Sequence, residues 1–135
     1  MKYNKNKQNY ASLQISVDDE KVRRKLGTNE LPLTVHEDKQ GKHIKGHKNF
    51  TDDKSYLAVD TVEEGIKLSQ EIVEKYHGKG KLIYNKNKEN IKEKVETDKI
   101  VGFVFSKQLN KWVSTKAVTI HYSKNGTHIV PTIMN

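Results

Sequence analysis

Two histidines, a serine and a lysine crowd the segment Thr119-Ile-His-Tyr-Ser-Lys-Asn-Gly-Thr-His-Ile-Val-Pro131. Imidazole is the side chain that gives and takes a proton near neutral pH, and lysine attracts phosphate, so the grouping fits acid–base chemistry on an anionic substrate. Asn125-Gly126 signals a two-residue hairpin turn of type I′, in which both central residues need positive φ. That turn predicts Lys124 opposite Thr127, Ser123 opposite His128, Tyr122 opposite Ile129 and His121 opposite Val130. His121 then lies diagonal to His128, about 7–8 Å away between backbones. Alternation puts Val118, Ile120, Tyr122, Ile129 and Pro131 on a core face. Thr119, His121, Ser123, His128, Val130 and Thr132 fall on the other.

A second group lies upstream. His36-Glu-Asp-Lys-Gln-Gly-Lys-His-Ile-Lys-Gly-His-Lys-Asn-Phe50 holds three histidines, four lysines and two glycines. Gly41 and Gly46 oppose a stable helix and predict a loop, the usual place for catalytic groups. His43 and His47 beside Lys42, Lys45 and Lys48 fit phosphate binding with proton transfer. His-x3-His also has zinc-ligand spacing on a helix. Gly46 opposes that helix, and no cysteine or paired carboxylate completes a ligand set, although Asp52 and Asp53 are near. The expectation is therefore no metal and no cofactor. His36 and His77 read as a strand end and a helix C-terminus. P-loop, GxSxG and HExxH motifs are absent from the sequence.

These groups need elements to position them. Thr61 to His77 is the clearest helix. Thr61 and Glu64 form a capping box, Val62, Ile66, Ser69, Val73 and Tyr76 make the stripe, and Gly78 stops it. Leu31–Val35 reads as a short edge strand because of Pro32. Residues 79–99 read as a long basic loop, with a short helix near Glu89–Val95 as an option. Lys99–Phe105 is continuously apolar and predicts a central strand buried on both faces. Trp112–Ser123 returns antiparallel to it. The expected fold is thus α+β: a C-terminal three-stranded antiparallel meander with one main helix on one face. Residues 1–30 read as a polar arm, loose over Met1–Asn9. A short basic helix over 16–26 would be capped by Ser16 or Asp18 and ended by Gly27. Residues 31–135 read as the functional domain.

Composition sets the outer limits. The 135 residues carry 25 Lys and Arg against 17 Asp and Glu, for a net charge of +8 and a pI near 9.5. Such a chain attracts polyanions, and salt weakens the attraction. With 33% hydrophobic residues and a mean hydropathy of −0.87, one small core is expected. The chain has no cysteine, which removes disulfides and thiolate sites. No apolar run reaches membrane-spanning length, and the N-terminus lacks a signal-peptide core. Aromatics make up 7% of the chain, which speaks against a stacking platform for single strands.

Gly41-Lys-His-Ile-Lys-Gly-His-Lys-Asn-Phe50, Tyr76-His-Gly-Lys-Gly80, Lys99-Ile-Val-Gly102 and the Thr119–Pro131 segment occur in an order that resembles the bacterial polymorphic toxin type 50 domain, over about residues 31–131. That domain is found at the C-termini of secreted toxins and in some phage head-morphogenesis proteins. The resemblance implies a ribonuclease toxin, grouped with small metal-independent RNases of the barnase, EndoU, colicin and RelE type. It implies a lysine–histidine pair at Lys42 and His43, and a hairpin motif at His121, Ser123 and His128. The family often has proline where this chain has Lys45, and Gly-Arg-Ser where it has Asp53-Lys54-Ser55. Lysine lacks the bidentate fork of arginine, so Lys54 would hold phosphate less specifically. In a longer toxin the first 30 residues would link to a delivery module.

Both lines lead to one expected mechanism. A neutral imidazole takes the proton of a ribose 2′-OH, which attacks the adjacent phosphorus, and a protonated group serves the 5′ leaving oxygen. His43 and His128 are the expected pair, with His121 in reserve and Ser123 orienting. Lys42, Lys45, Lys124 and Thr127 are the expected phosphate contacts. The implied partners are RNA and an acidic immunity protein, without membrane insertion. The expected location is the cytoplasm of the producing or a target cell, reached without an N-terminal signal, or a phage particle. Two rivals are a non-catalytic nucleic-acid-binding or phage structural module, and a metal-dependent nuclease.

Overall fold

The computed structural model describes residues 18–134. The Ser16 cap and the Met1–Asn9 arm lie outside the described residues. Residues 18–25 form helix α1, stopped by Gly27 at φ +86°. Val22 from α1 is fully buried, so this part of the basic N-terminal region packs onto the domain.

Thr61 caps helix α3 (Val62–Tyr76) by accepting the Glu64 amide, as the box predicts. Ile72 and Val73 carry its buried stripe into the core beside Val118, Ile120 and Ile129. Between α1 and α3 lies a single turn of helix, α2 (Glu37–Gly41), capped by His36 through its Nδ1. The expected Leu31–Val35 strand is reduced to two isolated parallel bridges, Leu26 to Leu31 and Val35 to Thr127.

The strands form two antiparallel sheets. Strand β1 (Tyr56–Leu57) pairs with β4 (Gly102–Ser106), which pairs with β5 (Lys111–Thr115). The larger sheet has the order β2 (Lys81–Ile83), β3 (Lys92–Glu96), β6 (Ala117–Ser123), β7 (Gly126–Thr132). The fold is therefore α+β with antiparallel sheets and one main helix, as expected.

The three-stranded meander is not how the strands connect. The predicted Trp112–Ser123 strand breaks at Lys116, whose carbonyl accepts from the Thr97 amide and hydroxyl. Thr115 Oγ1 accepts from Ala117 N–H and donates to Thr132 O. These bonds bend the chain, sending β5 to one sheet and β6 to the other. Lys99–Phe105 is not buried on both faces either, because Phe105 is 40% exposed. Residues 79–99 hold two strands rather than a loop. Lys92-Glu-Lys-Val-Glu96 alternates, but a carboxylate at 93 occupies an inward position that apolar side chains normally take.

The β6–β7 hairpin keeps its predicted faces but not its predicted partners. Ser123 pairs with Gly126, Tyr122 with Thr127, and His121 with His128. Among the turn residues only Gly126 has positive φ, at +124°, so the turn is not type I′ and centres on Lys124-Asn125. Each partner moves by two residues, which preserves every face because strands repeat with period two. The shift brings the two histidines directly opposite one another.

The outer edge of β7 is sealed. Thr127 exchanges backbone bonds with Thr34 and His36, and a Cβ on Gly126 would lie 2.6 Å from Thr34 O. Ile129 is bonded through both backbone groups to the buried amide of Gln40, which accepts at 2.7 Å and donates at 2.9 Å. Pro131 has no N–H to satisfy. Among the described residues no helix is long and apolar enough to cross a membrane.

Candidate active site

Gln40 decides where His43 goes. Its side chain bonds the backbone between His128 and Val130, and its carbonyl accepts the His43 amide at 3.0 Å. Ile44 is fully buried against Gly65 of α3, where an added Cβ would come within 2.7 Å of it. The His43 carbonyl accepts from Leu57 N–H. The segment expected to be loose is thus pinned on three sides, and its imidazole reaches the open face of the hairpin.

Three imidazoles form one stack. The His121 and His128 rings lie 4.6 Å apart at 26°, and the His128 and His43 rings 6.2 Å apart at 10°. His43 Nδ1 donates to Ser55 O at 2.8 Å, which fixes its tautomer and leaves Nε2 free. Burial lowers all three pKa values: His128 to about 3, His121 to about 4, and His43 in the same direction. Neighbouring cations and imidazoles add to the effect, while the Ser55 carbonyl opposes it at His43. The stack is therefore neutral at pH 7. A bound phosphate would favour its charged form.

His121 and His128 line a cleft of about 330 Å³ shared with Lys39, Lys92, Asn90 and Ser123, while His43 is buried at the end of the stack, 8% exposed. Lys92 on β3 pairs directly with His121, and Lys94 with Thr119, so both lysines share the histidine face. Neither these lysines nor Lys39 and Gln40 were expected from sequence. Two signals were available: the alternation in Lys92–Glu96, and an amide three residues before His43.

The other predicted residues divide. Lys42 is exposed, and its charge acts on both His43 and His128. Lys45 places its ammonium 4.1 Å from the centre of the Tyr56 ring. Lys124 is exposed on the turn. Ser123 lines the cleft, but its hydroxyl donates to Gly126 O and accepts from Asn125 N–H, so it shapes the turn rather than orienting His128. Thr127 is fully buried on the core face, with its hydroxyl 3.4 Å from Leu33 O. A substrate phosphate has no route to it, because odd and even residues of a strand face opposite ways. His47 covers Gly41 and accepts from Asn49 N–H, and His77 caps α3 by donating to Val73 O.

Stacked rings aim their lone pairs along near-parallel planes rather than at one point. Zinc needs ligands converging at about 2.0–2.1 Å. Among the described residues no group of three or more metal-binding side chains is arranged to hold an ion.

Fold and site together define a small basic α+β domain with an imidazole stack beside a lysine-lined cleft. The family model for bacterial toxin 50 matches residues 35–131, and the chain belongs to that family. The match contains α2, the whole imidazole stack and both sheets but for Thr132 at the end of β7. No curated protein matches the chain.

Gln40→Ala tests the positioning directly. It strips a buried strand edge of both partners, at about 1–3 kcal/mol for groups left unsatisfied. Urea unfolding should show that loss, and amide exchange at Ile129 should speed up while α3 stays protected. A variant as stable as the parent would show that α2 is held by other contacts.

Proposed function

We propose that this chain is an endoribonuclease toxin that cleaves RNA through its 2′-OH. The observation that carries the reading is the His43–His128 pair, 6.2 Å apart between ring centres, with His128 lining a cleft that also holds Lys39 and Lys92 and His43 packed, 8% exposed, behind it. His128, the most strongly depressed imidazole, is neutral and takes the 2′-OH proton. The 2′ oxygen forms a bond to phosphorus as the bond to the 5′ oxygen breaks. His43 supplies the proton to that leaving oxygen, because the Ser55 carbonyl supports its cationic form through Nδ1–H. His121, packed on His128, limits its rotation. Lys42, Lys92 and Lys39 stabilise charge on the phosphoryl oxygens. The products are a 2′,3′-cyclic phosphate and a 5′-OH.

The partner that fits a producing cell is an acidic immunity protein placed over the cleft, steered by the +8 charge. The reading expects action in the cytoplasm, where RNA is abundant.

The test is incubation of the purified chain with total RNA and with DNA, with and without EDTA. RNA should be cut equally in both conditions and DNA left whole. Intact RNA throughout, or cleavage that stops in EDTA, would overturn the reading.

A further inference from the structure

All three phenylalanines of this chain and its single tryptophan lie in one cluster. The cluster occupies one face of the smaller sheet. Strand register puts Tyr56, Phe103 and Phe105 on the side shared by Trp112, and Phe50 meets Tyr56 edge-on. The opposite side is the packed one, since a Cβ on Gly102 would meet Pro131 at 2.7 Å. The aromatic side is open, with Trp112 39% and Phe105 40% exposed. A domain with only 33% hydrophobic residues leaves these rings in water although its core is small.

The cluster begins beside His43, the buried end of the imidazole stack. Tyr56 follows Ser55, whose carbonyl holds His43, and Lys45, two residues after His43, sits over the Tyr56 ring. From Tyr56 the rings run on to Trp112 at 5.3 Å and from there to Phe105 at 5.6 Å. Phe105 and Trp112 meet edge-to-face at 76° rather than stacked, so at most one of the two rings has a face taken up by the other.

We propose that this face is a stacking subsite for nucleobases of single-stranded RNA beside the scissile phosphate. It rests on the ribonuclease reading and adds to it a preference for unpaired substrate. Bases stack on aromatic rings whatever their sequence, while cations follow the backbone. Lysine at the start of the track and open rings along it match that pairing of charge and π-surface. The low aromatic content counted against such a platform, but the count does not show that half of the aromatics are gathered in one place.

Trp112 is the only tryptophan, so its fluorescence reports this surface alone. Titrate the His128→Ala chain, slowed enough to leave RNA whole over the titration, with an eight-nucleotide unpaired oligoribonucleotide. Run an abasic oligomer of equal charge and an RNA duplex beside it. The proposal expects saturable quenching by the unpaired RNA and roughly tenfold or weaker binding of the abasic and duplex forms. Phe105→Leu should weaken binding by about tenfold, and leucine keeps the apolar bulk, so a loss of fold is separable by circular dichroism. Equal binding of abasic and normal oligomers, or a fluorescence response to an acidic protein and none to RNA, would overturn it. RNA cleavage by the parent chain without quenching would remove the subsite and leave the ribonuclease. Quenching without cleavage would keep the subsite and remove the ribonuclease.

Discussion

Replacing His128 by alanine is expected to lower RNA cleavage by roughly 10²- to 10⁴-fold, the usual worth of a positioned proton-transfer group. His43→Ala should lose a similar amount. The double variant should lose far less than the product of the two, since groups acting on one proton path fail together. The pH dependence follows from where the rings sit. Burial holds both imidazoles below the ordinary histidine value, His128 at about 3. A free protein with one ring protonated and the other neutral becomes more populated as pH falls below 6.5, so kcat/KM should climb toward acid. A bound phosphate raises both values, so kcat should hold to higher pH than kcat/KM. A His128→Ala variant that cuts RNA at the parental rate would show that the stack is structural.

The second large effect is on stability. Glu93 is fully buried on β3, yet every group near it answers its charge. It accepts from the amides of Gly78 at 2.9 Å and Gly80 at 2.6 Å and from the Tyr122 hydroxyl at 2.6 Å. The Arg23 guanidinium stands 3.6 Å away and donates to the carbonyls of Gly78 and Gly80. One carboxylate therefore ties α1, the end of α3, β3 and β6 together. Burial and the carboxylate push the Tyr122 hydroxyl up, which keeps it a donor. Glu93→Ala leaves three donors without an acceptor and Arg23 without its counter-ion, and is expected to destabilise the fold by about 3–5 kcal/mol. Calorimetry should show a fall in Tm of more than about 10 °C. A change under 1 kcal/mol would mean that water replaces the carboxylate without cost. Tyr122 lies between His121 and Ser123 in β6, so activity should fall with stability in this variant.

Particular residues show how far the sequence could be read. The capping box at Thr61 and the periodicity behind it are local signals, and α3 obeys both. The two faces of the terminal hairpin were legible because a shift of two residues leaves them unchanged. Its pairing was not, because Asn125-Gly126 permits more than one turn, and docking of residues 34–36 against Gly126 favours this one. The β3 strand was hidden because its inward position holds Glu93, whose partners lie 13 to 70 residues away in the chain. Gln40 was hidden for the same reason, since its partner is 89 residues distant. His43 and His128 were found as residue types. Their approach to within stacking distance depends on Gln40 and Gly65, which carry no chemical signature of a site.

The most direct test replaces one ribose of a short RNA by its 2′-deoxy form at the position cut by the parent chain. The proposed chemistry predicts that this bond survives, that neighbouring bonds are still cut, and that every cut RNA ends in a 2′,3′-cyclic phosphate. Cleavage at the deoxy position, or fragments that begin with a 5′-phosphate, would contradict attack by the 2′-OH and with it the role given to His43 and His128.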